Sequence, residues 1–292
     1  SAGTRRGAMM AVLRCDHPDI LDFIDVKKTP SRLRMFNLSV LVTDDFMEAV
    51  KSNNPWNLLD PKDNTVKETV NARKLWQRII EVRFRTGEPY INFIDTANRD
   101  LPQPLKDKGL KIHGSNLCNE IHLPTSEDRT AVCCLSSLNL ELFEEWKNTE
   151  LVSDLVKMLD NVLEFFIENA PDSISRARFS AERERSIGLG AMGFHALLQK
   201  QGVAWESEIA QSINTEVFKN IKTAAMASTK ILAYERGSYP DGPESGVRNS
   251  HLLAIAPNAS SGVILGTSPS IEPSKANAYT HRTRAGSFLV KN

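Results

Sequence analysis

Short apolar runs alternate with amphipathic stretches over the first third of this 292-residue chain, and this alternation constrains the fold more than any other feature. A short apolar run fits a buried strand, whereas apolar residues spaced three and four apart fit a helix with one buried face. Their alternation predicts a mixed α/β architecture. The predicted strands are 8–13, 35–43 and 90–94, and the predicted helices are 19–26, 44–51 and 71–84.

The later part of the chain is dominated by helical patterns. A helical block occupies about 151–237, where apolar side chains recur at helical spacing, and it ends at Gly237. Strand character returns at 251–256 and is followed by a turn of small residues. No linker rich in glycine, serine or proline divides the chain, so we expect a single domain over 1–292.

The charge balance limits the classes of partner. Lysine and arginine total 36, as do aspartate and glutamate, so the net charge is zero. A nucleic acid polymer selects basic surfaces and is not expected, although single nucleotides are compatible with this balance. No apolar run approaches the roughly 18 to 20 residues of a membrane span, and the start of the chain does not resemble a secretory signal. We therefore expect no membrane partner and a cytoplasmic, reducing location.

The cysteines are too few for a disulfide scaffold and lack zinc-site spacing, so no metal site is predicted. The four cysteines are Cys15, Cys118, Cys133 and Cys134. A match to G-x-G-x-x-G at 188–193 is discounted as a dinucleotide fingerprint, because the run before it, 176–185, is charged and helical in composition rather than a buried strand. We interpret these glycines as a tight turn before a helix at 194–198, and we do not predict NAD.

Asn116, Cys118 and Glu120 stand at alternate positions and form the most informative motif. In an extended segment their side chains would share one face, although the flanking residues are also compatible with a loop. A buried, inert cysteine beside a polar turn is the alternative. A carboxylate disfavours a nucleophilic thiolate, whereas a neutral thiol suits hydrogen-atom chemistry. Together with a general base and an amide for hydroxyl groups, this thiol points to a sugar substrate.

Cys133 and Cys134 lie in an apolar run, 131–140, that we interpret as a buried strand. Adjacent side chains on a strand face opposite ways, so only one of the two can share a cavity with Cys118. We expect one of them to be a reductant and the other a core residue. The alternative is that both belong to the core.

The chain resembles, essentially from end to end, the central part of the catalytic large subunit of ribonucleotide reductase. The segments that carry the resemblance are 115–118 with 120–121, 131–140, 185–194, 255–261, 271–273 and 286–292. The resemblance implies an α/β fold, part of a ten-stranded α/β barrel, with Cys118 at the tip of a central finger loop.

The resemblance also implies roles for the motif. Cys118 would be the transient thiyl radical that takes the 3′-hydrogen of a ribonucleotide. Glu120 would be the base at the 3′-hydroxyl, and Asn116 would hydrogen-bond to the sugar. Cys133 matches one of the two cysteines that supply reducing electrons, whereas Cys134 has no assigned role.

Substrate and effector contacts are implied in the same way. Gly7 matches a glycine that lies against the substrate. Ser115, the first residue of the motif segment, is also expected to bind the substrate. Arg32 and Arg34, in the segment 27–34, fall where the resemblance places a loop that couples a bound deoxynucleoside triphosphate to base choice. The residues matching the loop for the substrate phosphate are Pro257, Asn258, Ala259, Ser260 and Ser261.

The resemblance implies further components. They are a metal-containing small subunit as radical source, with adenosylcobalamin as the alternative, a dithiol reductant such as thioredoxin or glutaredoxin, and a second catalytic subunit in a homodimer. The family's second reducing cysteine and its first barrel strands have no counterpart in this sequence. We therefore expect a split or truncated subunit that needs another chain to supply them.

Two other functions are weighed. A non-catalytic nucleotide-binding remnant would keep the substrate surfaces without the chemistry, but binding alone does not require a thiol at the sugar. A thiol hydrolase would need a histidine paired with Cys118, and the sequence contains six histidines.

Overall fold

The structure is a computed structural model that describes residues 7–29, 31–274, 276–283 and 286–291. Residues 1–6 and Asn292, which the predicted domain includes, lie outside the described residues. The strands are β1 Met9–Arg14, β2 Phe36–Val42, β3 Pro55–Leu59, β4 Val66–Asn71, β5 Tyr90–Phe93, β6 Leu135–Asn139, β7 Gly188–Met192, β8 Ala278–Thr283 and β9 Gly286–Lys291. The α-helices are α1 Ile20–Asp25, α2 Asp44–Ser52, α3 Ala72–Thr86, α4 Ile94–Arg99, α5 Gln103–Asp107, α6 Phe143–Trp146, α7 Leu151–Asn169, α8 Ser175–Glu184, α9 Phe194–Lys200, α10 Glu208–Arg236 and α11 Ala259–Leu265.

The described residues form two compact units. The first unit takes its residues from Ser1–Leu101 and Leu110–Thr125, and the second from Pro102–Gly109 and Ser126–Asn292. The single domain over 1–292 stays a prediction. None of the helices in the described part of the chain is long and apolar enough to cross a membrane.

A parallel sheet in the order β1-β2-β5 organises the first unit. Val40 and Val42 of β2 are buried and pack in one core with Phe46 of α2 and Ile79 of α3. Helix α2 begins after Thr43, whose hydroxyl accepts from the backbone N–H of Phe46 at 3.2 Å, as expected of an N-cap. The three strands and three helices predicted for this region are confirmed, with ends shifted by a few residues.

The sequence analysis missed the antiparallel hairpin of β3 and β4, which lies between α2 and α3. Most residues of β4 are exposed, so this strand lacks the apolar alternation that a sequence pattern would show. The hairpin extends the first unit but leaves the parallel sheet unchanged.

Two long helices and a pair of parallel strands, β6 and β7, build the core of the second unit. Helices α7 and α10 bury one face each, which confirms helical structure over most of the block 151–237, although β7 interrupts it. Asp160 of α7 is fully buried. Its carboxylate accepts hydrogen bonds from the guanidinium groups of Arg185 and Arg236, at 2.9 Å each, and this joins α7 to the residue after α8 and to the end of α10.

The interpretation of 188–193 as a turn is wrong for its first part. Gly188 and Gly190 lie within the buried strand β7, and only Gly193 has the left-handed conformation, with φ 81° before α9. A Cβ on Gly190 would lie 2.1 Å from the backbone oxygen of Ala254, so this glycine permits a close approach of two backbones. The predicted helices on both sides, 176–185 and 194–198, are confirmed.

Two predicted strands are shorter than expected or absent. The strand of 131–140 begins at Leu135, so both neighbouring cysteines precede it. The run 251–256 follows β7 but makes a single bridge, between Leu253 and Leu189, and is not a regular strand. Apolar composition therefore did not fix the backbone geometry of these segments, and both contain exposed residues, Cys133 and Leu253.

Candidate active site

The segment with Asn116, Cys118 and Glu120 is a tight loop of the first unit. The N–H of Asn116 donates to the carbonyl of Ile121 at 3.2 Å, and the N–H of Asn119 donates to the carbonyl of Asn116 at 3.2 Å. Asn119 is left-handed, with φ 70°, which asparagine tolerates better than most residues. The loop alternative is therefore confirmed, and the side chains do not alternate as they would along a strand.

Cys118 is an exposed free thiol at the turn of this loop. Partial burial, and secondly the charge of Glu120, raise the pKa of Cys118 above its ordinary value. The thiol therefore stays protonated near neutral pH, which is the state that can donate a hydrogen atom. Among the described residues no histidine or other cation contributes to this shift, so the arrangement gives no support to a thiol hydrolase.

Glu120 presents an oxygen that the protein leaves without a partner. Its Oε2 atom is buried and has no hydrogen-bond partner among the described residues. A buried carboxylate oxygen without a partner costs free energy, so such an atom calls for an explanation. A ligand hydroxyl that donates to Oε2 would satisfy it.

Asn116 is oriented by the loop itself. Its Oδ1 atom accepts from the backbone N–H of Ile121 at 3.0 Å. Because the carbonyl end of the carboxamide is occupied, the NH2 end is the part that can donate to a ligand. On the other side of the turn, Asn37 Nδ2 donates to the carbonyl of Leu117 at 2.7 Å and ties the loop to β2.

Sequence analysis missed two polar residues that contact this loop, Asn92 and His122. Asn92 lies on β5 and is buried, and its Oδ1 atom is 3.0 Å from Nε2 of His122. The signal available in the sequence was a single asparagine inside an apolar strand, at the third position of Tyr90–Phe93.

The two neighbouring cysteines differ as predicted, although neither lies in a strand. Cys133 is exposed and Cys134 is buried. The Sγ atom of Cys134 contacts the carbonyl of Leu159 at 3.4 Å, and burial raises the pKa of Cys134 to about 11. Cys134 is thus a core residue, and Cys133 is the exposed thiol of the two.

The small-residue segment 257–261 leads into α11 in the second unit. Asn258 precedes the first residue of this helix, Ala259, and its Nδ2 atom donates to the carbonyl of Ala256 at 2.7 Å. Its side chain is thereby engaged in holding the turn. The other residues of the segment are exposed: Pro257, Ala259, Ser260 and Ser261.

The remaining predicted contacts lie on exposed parts of the first unit. Gly7 has no atom within 4 Å of the position that a Cβ would take. Arg32 and Arg34 are exposed in the turns before β2. Lys27 holds this region, because its Nζ atom donates to the carbonyls of Leu33 and Phe36.

The structure thus brings four predicted residues into one loop: Ser115, Asn116, Cys118 and Glu120. The predicted reductant Cys133 and the segment 257–261 belong to the second unit. No group of three or more histidine, cysteine, aspartate or glutamate side chains in the described ranges is placed to hold a metal ion.

Comparisons with known proteins identify the family. The family model described as the ribonucleotide reductase barrel domain matches residues 1–242 and 241–292. The putative ribonucleoside-diphosphate reductase large subunit of Frog virus 3 is 54% identical over 99% of this chain and 52% of its own length. The large subunit of Invertebrate iridescent virus 3 is 41% identical, with 55% of its length covered. The vitamin B12-dependent reductase of Mycobacterium tuberculosis is 35% identical, with 42% of its length covered.

A solved structure agrees in fold. The class Id ribonucleotide reductase alpha subunit of Actinobacillus ureae superposes with a TM-score of 0.81 at 36% identity, over 92% of this chain and 49% of that chain. The chain spans about half the length of the relatives that it matches. The predicted α/β class is confirmed, and the chain belongs to the ribonucleotide reductase barrel-domain family.

Proposed function

We propose that this chain carries the radical cysteine of a ribonucleoside-diphosphate reductase, with Cys118, Glu120 and Asn116 as its catalytic residues. The observation that carries the proposal is the buried Oε2 atom of Glu120, which lacks a partner two residues from an exposed thiol with a raised pKa. A ribose hydroxyl satisfies that oxygen and places its own carbon–hydrogen bond near the sulfur. The identity and length of the match to large subunits also support it.

In the proposed reaction Cys118, as a thiyl radical, forms an S–H bond with the 3′-hydrogen of the ribose, and the C3′–H bond breaks. Glu120 accepts the proton of the 3′-hydroxyl, and the NH2 group of Asn116 donates to a sugar hydroxyl. The 2′-hydroxyl then leaves as water with a proton from one of the two reducing thiols, and Glu120 later returns its proton to the 3′-oxygen.

The reduction needs two electrons from thiols. Cys133 and a second cysteine give up one electron and one proton each, form a disulfide, and reduce the substrate carbon. Cys118 then returns a hydrogen atom to C3′ and becomes a thiyl radical again. The exposure of Cys133 supports its place in this exchange, and the burial of Cys134 argues against a place for that thiol.

The substrate contacts follow the family resemblance. Gly7, which is exposed, and Ser115, which belongs to the Cys118 loop, would contact the nucleoside. The exposed residues Arg32 and Arg34 would bind a deoxynucleoside triphosphate effector. The residues proposed for the substrate phosphates are Pro257, Asn258, Ala259, Ser260 and Ser261.

Further components belong to the proposal. The iridovirus relatives named as large subunits favour a small subunit as radical source, and adenosylcobalamin is the alternative that the vitamin B12-dependent relative offers. A dithiol protein such as thioredoxin or glutaredoxin would reduce the disulfide, and a second catalytic subunit would complete a homodimer. Another segment would supply the first barrel strands, and the thiol chemistry suits the reducing cytoplasm.

The test is reduction of a ribonucleoside diphosphate by a complete large subunit that contains these residues, assayed with its radical source and a dithiol. Turnover is expected in the parent and in the control variant Cys15→Ala, which removes a thiol buried in the core of the first unit. It should fall to background in Cys118→Ser. Tight nucleotide binding without turnover would favour a nucleotide-binding remnant of the same fold instead.

A further inference from the structure

Asn92 is a buried carboxamide that makes three hydrogen bonds, to strand β2 and to both ends of the Cys118 loop. It is 3% exposed. Its Nδ2 atom donates to the hydroxyl of Ser39 on β2 at 2.7 Å and to the hydroxyl of Ser115 at 3.2 Å. Its Oδ1 atom lies 3.0 Å from Nε2 of His122. Asn92 therefore holds Ser115, the first residue of the loop, and His122, the residue after it, against the parallel sheet.

The contact through Ser115 reaches the residue next to the thiol. A serine hydroxyl has one proton, and after accepting from Asn92 the Ser115 hydroxyl can give that proton to Asn119 Oδ1 at 2.8 Å. Asn119 is the left-handed residue between Cys118 and Glu120. Loss of this bond would release the one backbone conformation on which the turn depends.

The contact through His122 fixes a protonation state. Both N–H groups of Asn92 are donated, so Oδ1 faces His122 and the Nε2 atom of that ring carries the proton. Burial lowers the pKa of His122, which keeps the imidazole neutral near neutral pH. A neutral ring leaves the charge of Glu120 uncompensated from this side, so the carboxylate stays available to a ligand proton.

We propose that Asn92 and His122 are positioning residues, which hold Cys118 and Glu120 in their reactive arrangement by clamping both ends of the loop to strands β2 and β5. The inference rests on the proposed function for its kinetic consequence. A displacement of about 1 Å at reacting atoms can cost on the order of 100-fold in rate. The proposed contacts to the substrate phosphates lie on residues 257–261, outside this loop, so the effect should fall more on kcat than on KM.

The test uses four variants of the complete large subunit. Asn92→Leu removes all three bonds with little change of volume, and His122→Leu removes one. His122→Gln keeps an N–H donor near the position of Nε2. Asn98→Leu is the matched control, because Asn98 also makes three bonds, to Ile94 and Ile112, but none to this loop.

We expect kcat to fall roughly 100-fold in Asn92→Leu and at least tenfold in His122→Leu, with KM for the diphosphate within threefold of the parent. His122→Gln should recover at least a third of the parent kcat. Asn98→Leu should lower the melting temperature by as much as Asn92→Leu but leave kcat within threefold. Equal losses of kcat in Asn92→Leu and Asn98→Leu, or no recovery in His122→Gln, would overturn the proposal.

A second measurement separates this proposal from the proposed function. The rate at which iodoacetamide alkylates Cys118, read by mass spectrometry of its peptide, needs no turnover. It should rise severalfold in Asn92→Leu and His122→Leu, because the loop is released, and stay at the parent value in His122→Gln and Asn98→Leu. If the parent reduces no ribonucleotide, the proposed function fails, but the alkylation rates still show whether Asn92 and His122 position the loop. Unchanged alkylation in Asn92→Leu would reject the clamp even in an active enzyme.

Discussion

The guanidinium of Arg129 donates to Glu184 at 2.9 Å in an ion pair whose two side chains are 7% and 3% exposed. Arg129 also lies 2.7 Å from Asp241, which Arg183 holds from the other side at 2.6 Å. The cluster thus joins the segment before Cys133 to α8 and to the loop that follows α10. Removal of one partner from a buried ion pair leaves a buried charge without compensation.

Arg129→Leu is therefore expected to lower the free energy of unfolding by about 3 to 5 kcal/mol at pH 8, measured by urea unfolding followed by tryptophan fluorescence. Arg85→Leu is the control, because its ion pair with Glu81 has side chains that are 66% and 45% exposed. That variant should lose at most about 1 kcal/mol. Comparable losses in both variants would show that burial of the Arg129 pair does not matter for stability.

Glu184 gives the second unit a pH dependence of known sign. Burial raises the pKa of Glu184 to about 7 from 4.5, although the bond from Arg129 acts in the opposite direction. The folded chain therefore holds a proton that the unfolded chain releases. The stability that Glu184 contributes is complete below about pH 4.5 and is lost as the pH rises toward about 7.

The free energy of unfolding of the parent, relative to Glu184→Gln, should accordingly fall between pH 5 and pH 7, with a slope of at most about 1.4 kcal/mol per pH unit. The same difference measured against Glu182→Gln, an exposed glutamate on the same helix, should stay flat. A rise in the first difference with pH would contradict the assignment.

Glu120 should control both the reactivity of Cys118 and turnover. Glu120→Gln removes the charge that helps to raise the pKa of Cys118, so alkylation of Cys118 at pH 8.5 should become faster. The same change removes the proposed general base, and kcat should fall by roughly 100-fold or more. Slower alkylation together with unchanged kcat would remove Glu120 from the proposed site. Glu81→Gln, which changes an exposed side chain on α3, is the control for both measurements.

The chemistry of this loop could be predicted from the sequence because it depends on residue types at close spacing. Asn116, Cys118 and Glu120 needed only their order to suggest a protonated thiol beside a base. The turn that orients them depends on Asn119 in a left-handed conformation. A single asparagine in a sequence does not predict that conformation. Asn92 was missed for a different reason, since its partners, on strand β2 and at the Cys118 loop, are distant from it in the chain.

The glycine motif shows a second limit of sequence patterns. The spacing of Gly188, Gly190 and Gly193 suggested one turn, because a pattern cannot show which segment lies against which. In the structure the first two glycines lie in β7, where the chain around Ala254 approaches the backbone closely, and only Gly193 serves a turn. Contacts between segments set the need for glycine here, and they are absent from local sequence.

Gly190→Ala tests this close approach. The added methyl carbon would lie 2.1 Å from the carbonyl oxygen of Ala254 and 3.4 Å from the Cα atom of Ile255, both backbone atoms that no rotamer change can move. The strand or the neighbouring segment must shift, so we expect a loss of at least about 1 to 3 kcal/mol in the free energy of unfolding.

Gly114→Ala is the matched control for Gly190→Ala, because the three atoms nearest to its methyl group would all belong to the side chain of Val12, the first at 3.3 Å. Urea unfolding of both variants should show the larger loss for Gly190→Ala. Since the segment after Ala254 leads directly to 257–261, Gly190→Ala should also raise KM for the diphosphate in the complete large subunit, whereas a loss of stability with unchanged KM would separate the close approach from the proposed phosphate contacts.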